Sequence, residues 1–332
     1  MSNFDKATHR NEFFFYRDKE LEELIDPQTG KVRSELTEKI NCRICASPLF
    51  DHLFVKNGFD FVRCGNCTFV YVNPQLKEKA ILKYYNEDVP SHETFMKVVL
   101  SSEQQRTDIE LYKTYYDKLK TKIPAGGKVL DIGCSIGLFL KAGKDLGYDT
   151  VGLELNEKTA SYAEEMYGVK VERKLLEDCK FPDNSFDAVS MFGVIEHLPQ
   201  PLAVMKEIVR ILKPGGIFLG RCPNVESLAY MILHGTARTF TGRNHLNYFS
   251  GRTLERLFKT AGFNRCEIDT VYSGKDSIFN HLQFLDPFGD EENKYFPDKF
   301  REFLANKDNV AMLEQKMNEL GIGLKLRFFA EK

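Results

Sequence analysis

The chain has 332 residues, with 48 acidic against 46 basic side chains and a formal net charge of −2. That length holds one large domain with a smaller one beside it, and the balanced charge excludes a global field steering the protein toward nucleic acid. No apolar run approaches the roughly 20 residues that span a bilayer, and the opening residues lack the basic end and apolar core of a secretion signal, so the expected location is cytoplasmic. Eight cysteines in that setting argue against a disulfide framework and for metal or redox chemistry.

Residues 1–40 are charged and Phe-rich, and short helices are predicted over 12–25 and 34–40. Residues 41–74 carry four cysteines as two pairs, Cys42-Arg43-Ile44-Cys45 and Cys64-Gly65-Asn66-Cys67, with 18 residues between them. The spacing matches the C-x2-C…C-x2-C zinc pattern. Each pair can wrap its thiolates around one side of an ion, and two such turns close a tetrahedron with no open position, so the ion's role would be structural. A module this small has little core, and metal binding would contribute the missing folding free energy. Phe50, Leu53, Phe54, Phe59, Phe61, Val62, Phe69, Val70 and Tyr71 would dress the site. Disulfides or a redox pair are the alternatives; the compartment weighs against the first and the duplicated motif against the second. Cys134, Cys179, Cys222 and Cys266 lack ligand spacing and read as small buried hydrophobes.

Residues 75–122 read as a helical linker or lid, with Leu111, Tyr115, Lys118 and Leu119 on one side. The breaker cluster at 123–127 marks the joint to a main domain over 123–332. From there strand and helix alternate. Strands are predicted at 129–132, 150–155, 169–173, 186–192 and 216–222, and helices at 138–146, 157–167 and 201–212. This rhythm implies parallel strands joined by right-handed crossovers, hence a doubly wound α/β sheet. A helix at 254–261 and a strand at 264–271 follow. An insertion over about 272–323 is rich in charge and aromatics (Phe279, Phe284, Phe288, Tyr295, Phe296, Phe300, Phe303), and 324–330 alternates like a closing strand.

The stretch 128–140 carries most information. An apolar run ends in Asp131, breaks into Gly133, Cys134, Ser135 and Gly137, then resumes with helical spacing, as in a strand–turn–helix that lets a nucleotide-like ligand lie against the backbone. Glu154 ends the second strand about 20 residues later, where an acid can accept from both hydroxyls of a ribose. A dehydrogenase turn has three glycines as G-x-G-x-x-G, and Gly133 to Gly137 lacks that spacing. A Phe186-Asp187 element and Leu212-Lys213-Pro214-Gly215-Gly216 follow. In order and spacing, residues 128–263 resemble the class I S-adenosylmethionine-dependent methyltransferases. The resemblance implies a Rossmann-like, mostly parallel seven-stranded sheet, here with an N-terminal zinc module and helical insertions, and S-adenosylmethionine as cofactor. By resemblance, Asp131, Gly133, Cys134, Ser135 and Gly137 lie under the methionine part and Glu154 holds the ribose. Leu155 and Asn156 flank the adenine, Leu176 and Glu177 lie near its other edge, and Phe192, Gly193 and His197 line the pocket beyond the fourth strand. Ser135 replaces the family's middle glycine, and Leu175 stands where an acid often lies near the adenine.

Methyl transfer from a sulfonium is an in-line displacement that often needs a base for the acceptor's proton. The segment Gly242-Arg243-Asn244-His245-Leu246-Asn247-Tyr248-Phe249-Ser250 looks like the Glu-His…Phe-Ser element of the sugar C-methyltransferases, which also carry a four-cysteine zinc module before the same domain. By position His245 is the candidate base, with Tyr248 a secondary catalytic candidate. Asn244 replaces the family's Glu and leaves that base without its carboxylate neighbour. The alternative for His245 is a loop histidine making structural hydrogen bonds only. Arg243 and Arg221 are candidates to bind an acceptor's phosphate or carboxylate, and Tyr84, Tyr85 and His92 are candidates to close the pocket. The expected function is methylation of a small-molecule acceptor, a sugar or nucleotide-sugar of polysaccharide or secondary-metabolite assembly, with a structural Zn2+ and with homodimerisation left open. One alternative is an rRNA or tRNA base methyltransferase, against which the scattered Arg43, Lys56 and Arg63 weigh. The other is a non-catalytic scaffold that binds the cofactor.

Overall fold

The computed structural model describes residues 8–86, 89–237, 239–272 and 298–332. Helix α1 (Arg10–Glu22) opens the described chain. The helix predicted over 34–40 is replaced by a 3-10 turn, Ser34–Leu36, and strand β1 (Thr37–Glu38). So short a helix lies below the length at which nucleation is recovered, and β-branched Thr37 instead pairs with Leu76. Strands β2 (Phe50–Lys56), β3 (Phe59–Cys64) and β4 (Val70–Val72) form an antiparallel meander. Its first turn is Asn57-Gly58, both with positive φ, the pair a tight hairpin demands.

Strand β5 (Gln75–Leu76) and three helices occupy the stretch predicted as one helical segment: α2 (Glu78–Asn86), α3 (Pro90–Leu100) and α4 (Ser102–Leu119). Pro90 opens α3 at a position that needs no N–H donor. Ser101 divides α3 from α4: it is extended, and its side chain accepts from the Gln104 N–H as an N-cap.

The main domain runs β6 (Lys128–Ile132), α5 (Leu138–Asp145), β7 (Asp149–Leu153), α6 (Glu157–Tyr167), β8 (Lys170–Glu172), α7 (Leu176–Cys179), β9 (Phe186–Phe192), α8 (Pro201–Ile211) and β10 (Leu212–Pro223). It continues with α9 (Leu228–Leu233), β11 (Asn247–Tyr248), α10 (Gly251–Ala261), β12 (Arg265–Val271), α11 (Asp298–Ala305), α12 (Lys307–Glu319) and β13 (Lys325–Glu331). Seven strands form one sheet in the order β12-β13-β10-β9-β6-β7-β8, and β13 alone runs antiparallel to its neighbours. This is the Rossmann-like, mostly parallel seven-stranded sheet expected from the sequence. The strand order reverses between β6 and β9, and in such sheets ligands bind outside the carboxyl ends of the strands at that point. Helices α11 and α12 account for the described part of the 272–323 insertion and place Phe300 and Phe303 on α11. Phe279, Phe284, Phe288, Tyr295, Phe296 and the side chain of Tyr85 lie outside the described residues.

Both sheet faces are dry. On one, Val189, Met191, Phe218 and Phe328 pack against Met205 and Ile208 of α8 and Leu254, Leu257 and Phe258 of α10. On the other, Tyr115, Tyr116 and Leu119 of α4 cover Val129, Phe139 and Leu219, and the two phenols donate to the carbonyls of Gly220 and Phe139. The cysteine module is not a separate bead. β11, from the main domain, pairs with β4 through Asn247↔Tyr71 and Tyr248↔Val70 and completes a four-stranded sheet β11-β4-β3-β2. Phe69 of the module packs on Phe249 with ring centroids 5.1 Å apart.

Candidate active site

A cavity of about 630 Å³ opens over the carboxyl ends of β6, β7 and β9. Its floor is the loop after β6. Gly133 takes φ +73 there, and a Cβ would meet Val194 Cγ2 at 2.5 Å, so only glycine fits. Ser135 also sits in the left-handed region, at φ +49, where the related pattern has glycine. Its buried hydroxyl oxygen has no partner among the described residues and lies in the cavity lining.

Glu154 follows the last residue of β7. Ser135 N–H donates to its Oε2 at 2.9 Å and Asn156 N–H to its Oε1 at 2.8 Å. Each carboxylate oxygen keeps a second lone pair for a ligand hydroxyl. Burial raises the Glu154 pKa, against the opposing pull of these amides. Leu155, Asn156, Leu176 and Glu177 line the adjoining wall, together with Leu175. Phe192, Gly193 and His197 line the wall beyond β9. Asp131, Cys134 and Gly137 lie beneath the surface of the loop. Asp131 is 3 % exposed, accepts from the Ser190 hydroxyl at 2.7 Å, and is pushed by burial up to about 7 despite that bond.

The acceptor side holds His245, whose ring meets that of His197 edge-on at 4.8 Å between centroids. Burial lowers both imidazoles, His197 to about 4, and so favours their neutral forms. Tyr248 is not on this wall. Strand pairing turns it into the core beside Phe61 and Phe240, where its hydroxyl donates to the His245 carbonyl at 2.8 Å. Arg243 is committed elsewhere: it is buried, pairs with Glu20 at 3.1 Å and lies over the Tyr84 ring, leaving no open face for an acceptor's anion. Arg221 lies 3.9 Å from Asp108 and is not part of the lining.

The roof includes Tyr84 and His92, named above as candidates to close the pocket, together with residues of α1 and Phe95 that were not singled out. Arg10, Phe13, Phe14 and Arg17 of α1, Tyr84 of α2, and His92 and Phe95 of α3 all face the cavity. Phe13 packs on Phe95 at 5.7 Å between centroids. Glu20 ties the roof down by accepting from the Ser91 N–H and hydroxyl and from Arg243. Lys325 enters from the start of β13. The local signals for α1 are a predicted helix over 12–25 and a run of three Phe between Arg10 and Arg17, which do not by themselves identify a roof.

The four module cysteines offer sulfurs that all lie within 4.8 Å of one another, with Cys42–Cys67 and Cys45–Cys64 each at 3.5 Å. Thiolates around tetrahedral zinc at about 2.3 Å stand roughly 3.8 Å apart, so the donor set and spacing fit a closed zinc site. The Asn66 and Cys67 N–H groups donate to Cys64 Sγ at 3.4 and 3.5 Å. No helix among the described residues is long and apolar enough to cross a membrane.

Residues 103–267 match the family described as methyltransferase domain. The chain is 31% identical over 165 residues to a "Probable S-adenosylmethionine-dependent methyltransferase" of Mycolicibacterium smegmatis, covering 49% of this chain and 62% of that one. It is 33% identical to a ubiquinone biosynthesis O-methyltransferase of Xanthomonas axonopodis, covering 37% and 55%. It thus spans less than two thirds of either relative's length. A crystal structure of a SAM-dependent methyltransferase from Archaeoglobus fulgidus superposes with a TM-score of 0.46 at 19% identity, covering 68% of this chain and 94% of that one.

Proposed function

From the premise that residues 103–267 form a class I S-adenosylmethionine-dependent methyltransferase domain, we propose that this protein methylates a small-molecule acceptor held in the cavity between that domain and the N-terminal helices. The observation that carries the reading is Glu154, a carboxylate fixed by two loop amides and lining a cavity of about 630 Å³, with acceptor capacity left on each oxygen for a ligand hydroxyl. S-adenosylmethionine supplies an electrophilic methyl group when bound. Glu154 would hold its ribose, and Leu155, Asn156, Leu176 and Glu177 its adenine. Asp131, Gly133, Cys134, Ser135 and Gly137 would shape the loop beneath its methionine part, Asp131, Cys134 and Gly137 from below the surface. Phe192, Gly193 and His197 would separate it from the acceptor. His245, neutral and on the acceptor wall, is the candidate base, and Tyr248 would act only by fixing the backbone of His245. The four cysteines would hold a structural zinc ion beside this wall.

The finer reading is a nucleotide-sugar acceptor. What supports it is the roof: Phe13, Phe14 and Phe95 line the cavity with aromatic surface suited to a base, and Arg10 and Lys325 line it with positive charge suited to phosphates, whereas Arg17 is paired with Asp18 at 2.6 Å and lies over the Phe14 ring. The test is calorimetric binding of S-adenosylmethionine to the full chain, followed by mass spectrometry of nucleotide-sugars incubated with both. Binding with a gain of one methylene mass supports the reading. Failure to bind the cofactor overturns it; binding with methylation of other small molecules alone overturns the acceptor class.

A further inference from the structure

We propose that Glu196, His197 and His245 form a second metal site, which takes one divalent transition ion of the Zn2+ or Fe2+ class at the wall of the cavity. One ligand atom from each of the three lies within 4.8 Å of the others. The residues come from two segments that the fold clamps together. The turn Ile195–His197 presents the first two, and the loop before β11 presents the third. Leu246 N–H donates to the Glu196 carbonyl at 2.8 Å, and the Asn247 side-chain amide donates to the Leu198 carbonyl at 2.7 Å. The ligands are therefore held in place by backbone contacts, as a preorganised site requires.

Two of these groups each leave one buried polar atom unpaired. Glu196 is 3 % exposed, and its Oε2 has no hydrogen-bond partner among the described residues; neither has Nδ1 of His245. A buried polar atom left unpaired costs about 1–3 kcal/mol. Two such atoms in one three-residue cluster invite a single electron-pair acceptor. His197 and His245 line the cavity, whereas Glu196 stands behind them. An ion here would have three protein ligands and an open side toward the acceptor, the arrangement of a catalytic rather than a structural site. Two imidazoles with one carboxylate select a transition ion over Mg2+ or Ca2+. Lys325 lines the same cavity, and its positive charge opposes a second cation here.

The site itself does not depend on the methyl-transfer reading; its use does. Such an ion would lower the pKa of an acceptor hydroxyl, and His245 would then serve as ligand, with no free base needed. The test is titration of the full chain with Co2+. Cobalt on four thiolates gives strong sulfur-to-metal charge transfer, and cobalt on two imidazoles and a carboxylate gives weak visible bands only. The expected result is a second bound ion with the weak bands alone. Glu196→Gln and His245→Gln should weaken it by about 100-fold or more, beyond the roughly 10- to 100-fold loss typical of removing only a supporting partner. Lys325→Met should tighten it. Cofactor calorimetry on the same preparations reports whether each variant is folded. Saturation after the cysteine-bound ion alone overturns the proposal, as does a second ion held equally well by both variants. If the cofactor binds without a second ion, this inference fails and the methyltransferase reading stands; a second ion without cofactor binding means the reverse.

Discussion

Replacing Glu154 by Gln is expected to weaken S-adenosylmethionine binding by about 30-fold or more. The carboxylate gives each oxygen to one backbone amide, Ser135 at 2.9 Å and Asn156 at 2.8 Å, and keeps one lone pair per oxygen for a ribose hydroxyl. A glutamine retains one carbonyl oxygen. It loses one charge-assisted hydroxyl bond outright and reduces the other to a neutral bond. Bonds to charged groups contribute about 1.5–3 kcal/mol and neutral ones about 1, so the loss is at least about 2 kcal/mol, or about 30-fold at 1.36 kcal/mol per decade. On folding the effects oppose. Removing a buried charge relieves the desolvation that raises the Glu154 pKa, while the new NH2 group confronts one loop amide with another donor. Titration calorimetry with S-adenosylmethionine and S-adenosylhomocysteine measures the binding, and the thermal midpoint serves as the control. Affinity within about threefold of the parent, a change below about 0.7 kcal/mol, with an unaltered midpoint, would refute the assignment of Glu154 to the ribose.

Asp131→Asn should stabilise the fold while weakening cofactor binding. Its folded pKa, raised by burial to about 7, exceeds the ordinary carboxylate value, so the stability it contributes is present below about pH 4 and lost as pH rises through 7. The amide removes that loss, worth up to about 4 kcal/mol above pH 7, and urea unfolding near pH 5 and pH 8 should show a flatter profile than the parent; an unchanged slope would contradict this. Gly133→Ala forces a Cβ to 2.5 Å from Val194 Cγ2 at φ +73, and should reduce cofactor affinity at least tenfold, about 1.4 kcal/mol, measured by the same calorimetry. Cys64→Ser should abolish zinc retention in metal analysis. It should also reduce acceptor turnover more than cofactor affinity, because β4 pairs with the strand that follows His245; equal loss of both would argue against that coupling.

The features legible in the sequence are those encoded locally. The alternation from Lys128 onward, the break after Asp131 and the spacing of Cys42, Cys45, Cys64 and Cys67 each lie within one short window, and the structure sets them in the expected sheet, loop and thiol cluster. What escaped depends on contacts between distant residues. Asn247-Tyr248 reads as part of a loop, and nothing nearby announces that its partners are Tyr71 and Val70. Arg243 reads as an open cation until Glu20 is brought to 3.1 Å from it by α1. Glu196 precedes His197 in an apolar context, and only the tertiary fold sets it beside His245. The helix predicted over 34–40 fails for the same reason, since β1 is stabilised by a partner some forty residues away.

The ladder joining β11 to β4 limits how this protein can be taken apart. A fragment beginning at the breaker cluster near residue 123 would strip Asn247-Tyr248 of its hydrogen-bonded neighbour. It would also bare Phe249, which Phe69 covers at 5.1 Å between rings. Such a raw edge beside exposed aromatics invites self-association. Exchanging the cysteine segment between homologues should therefore succeed only when the residues around His245 travel with it, so that the two stretches are inherited, engineered and lost as one piece.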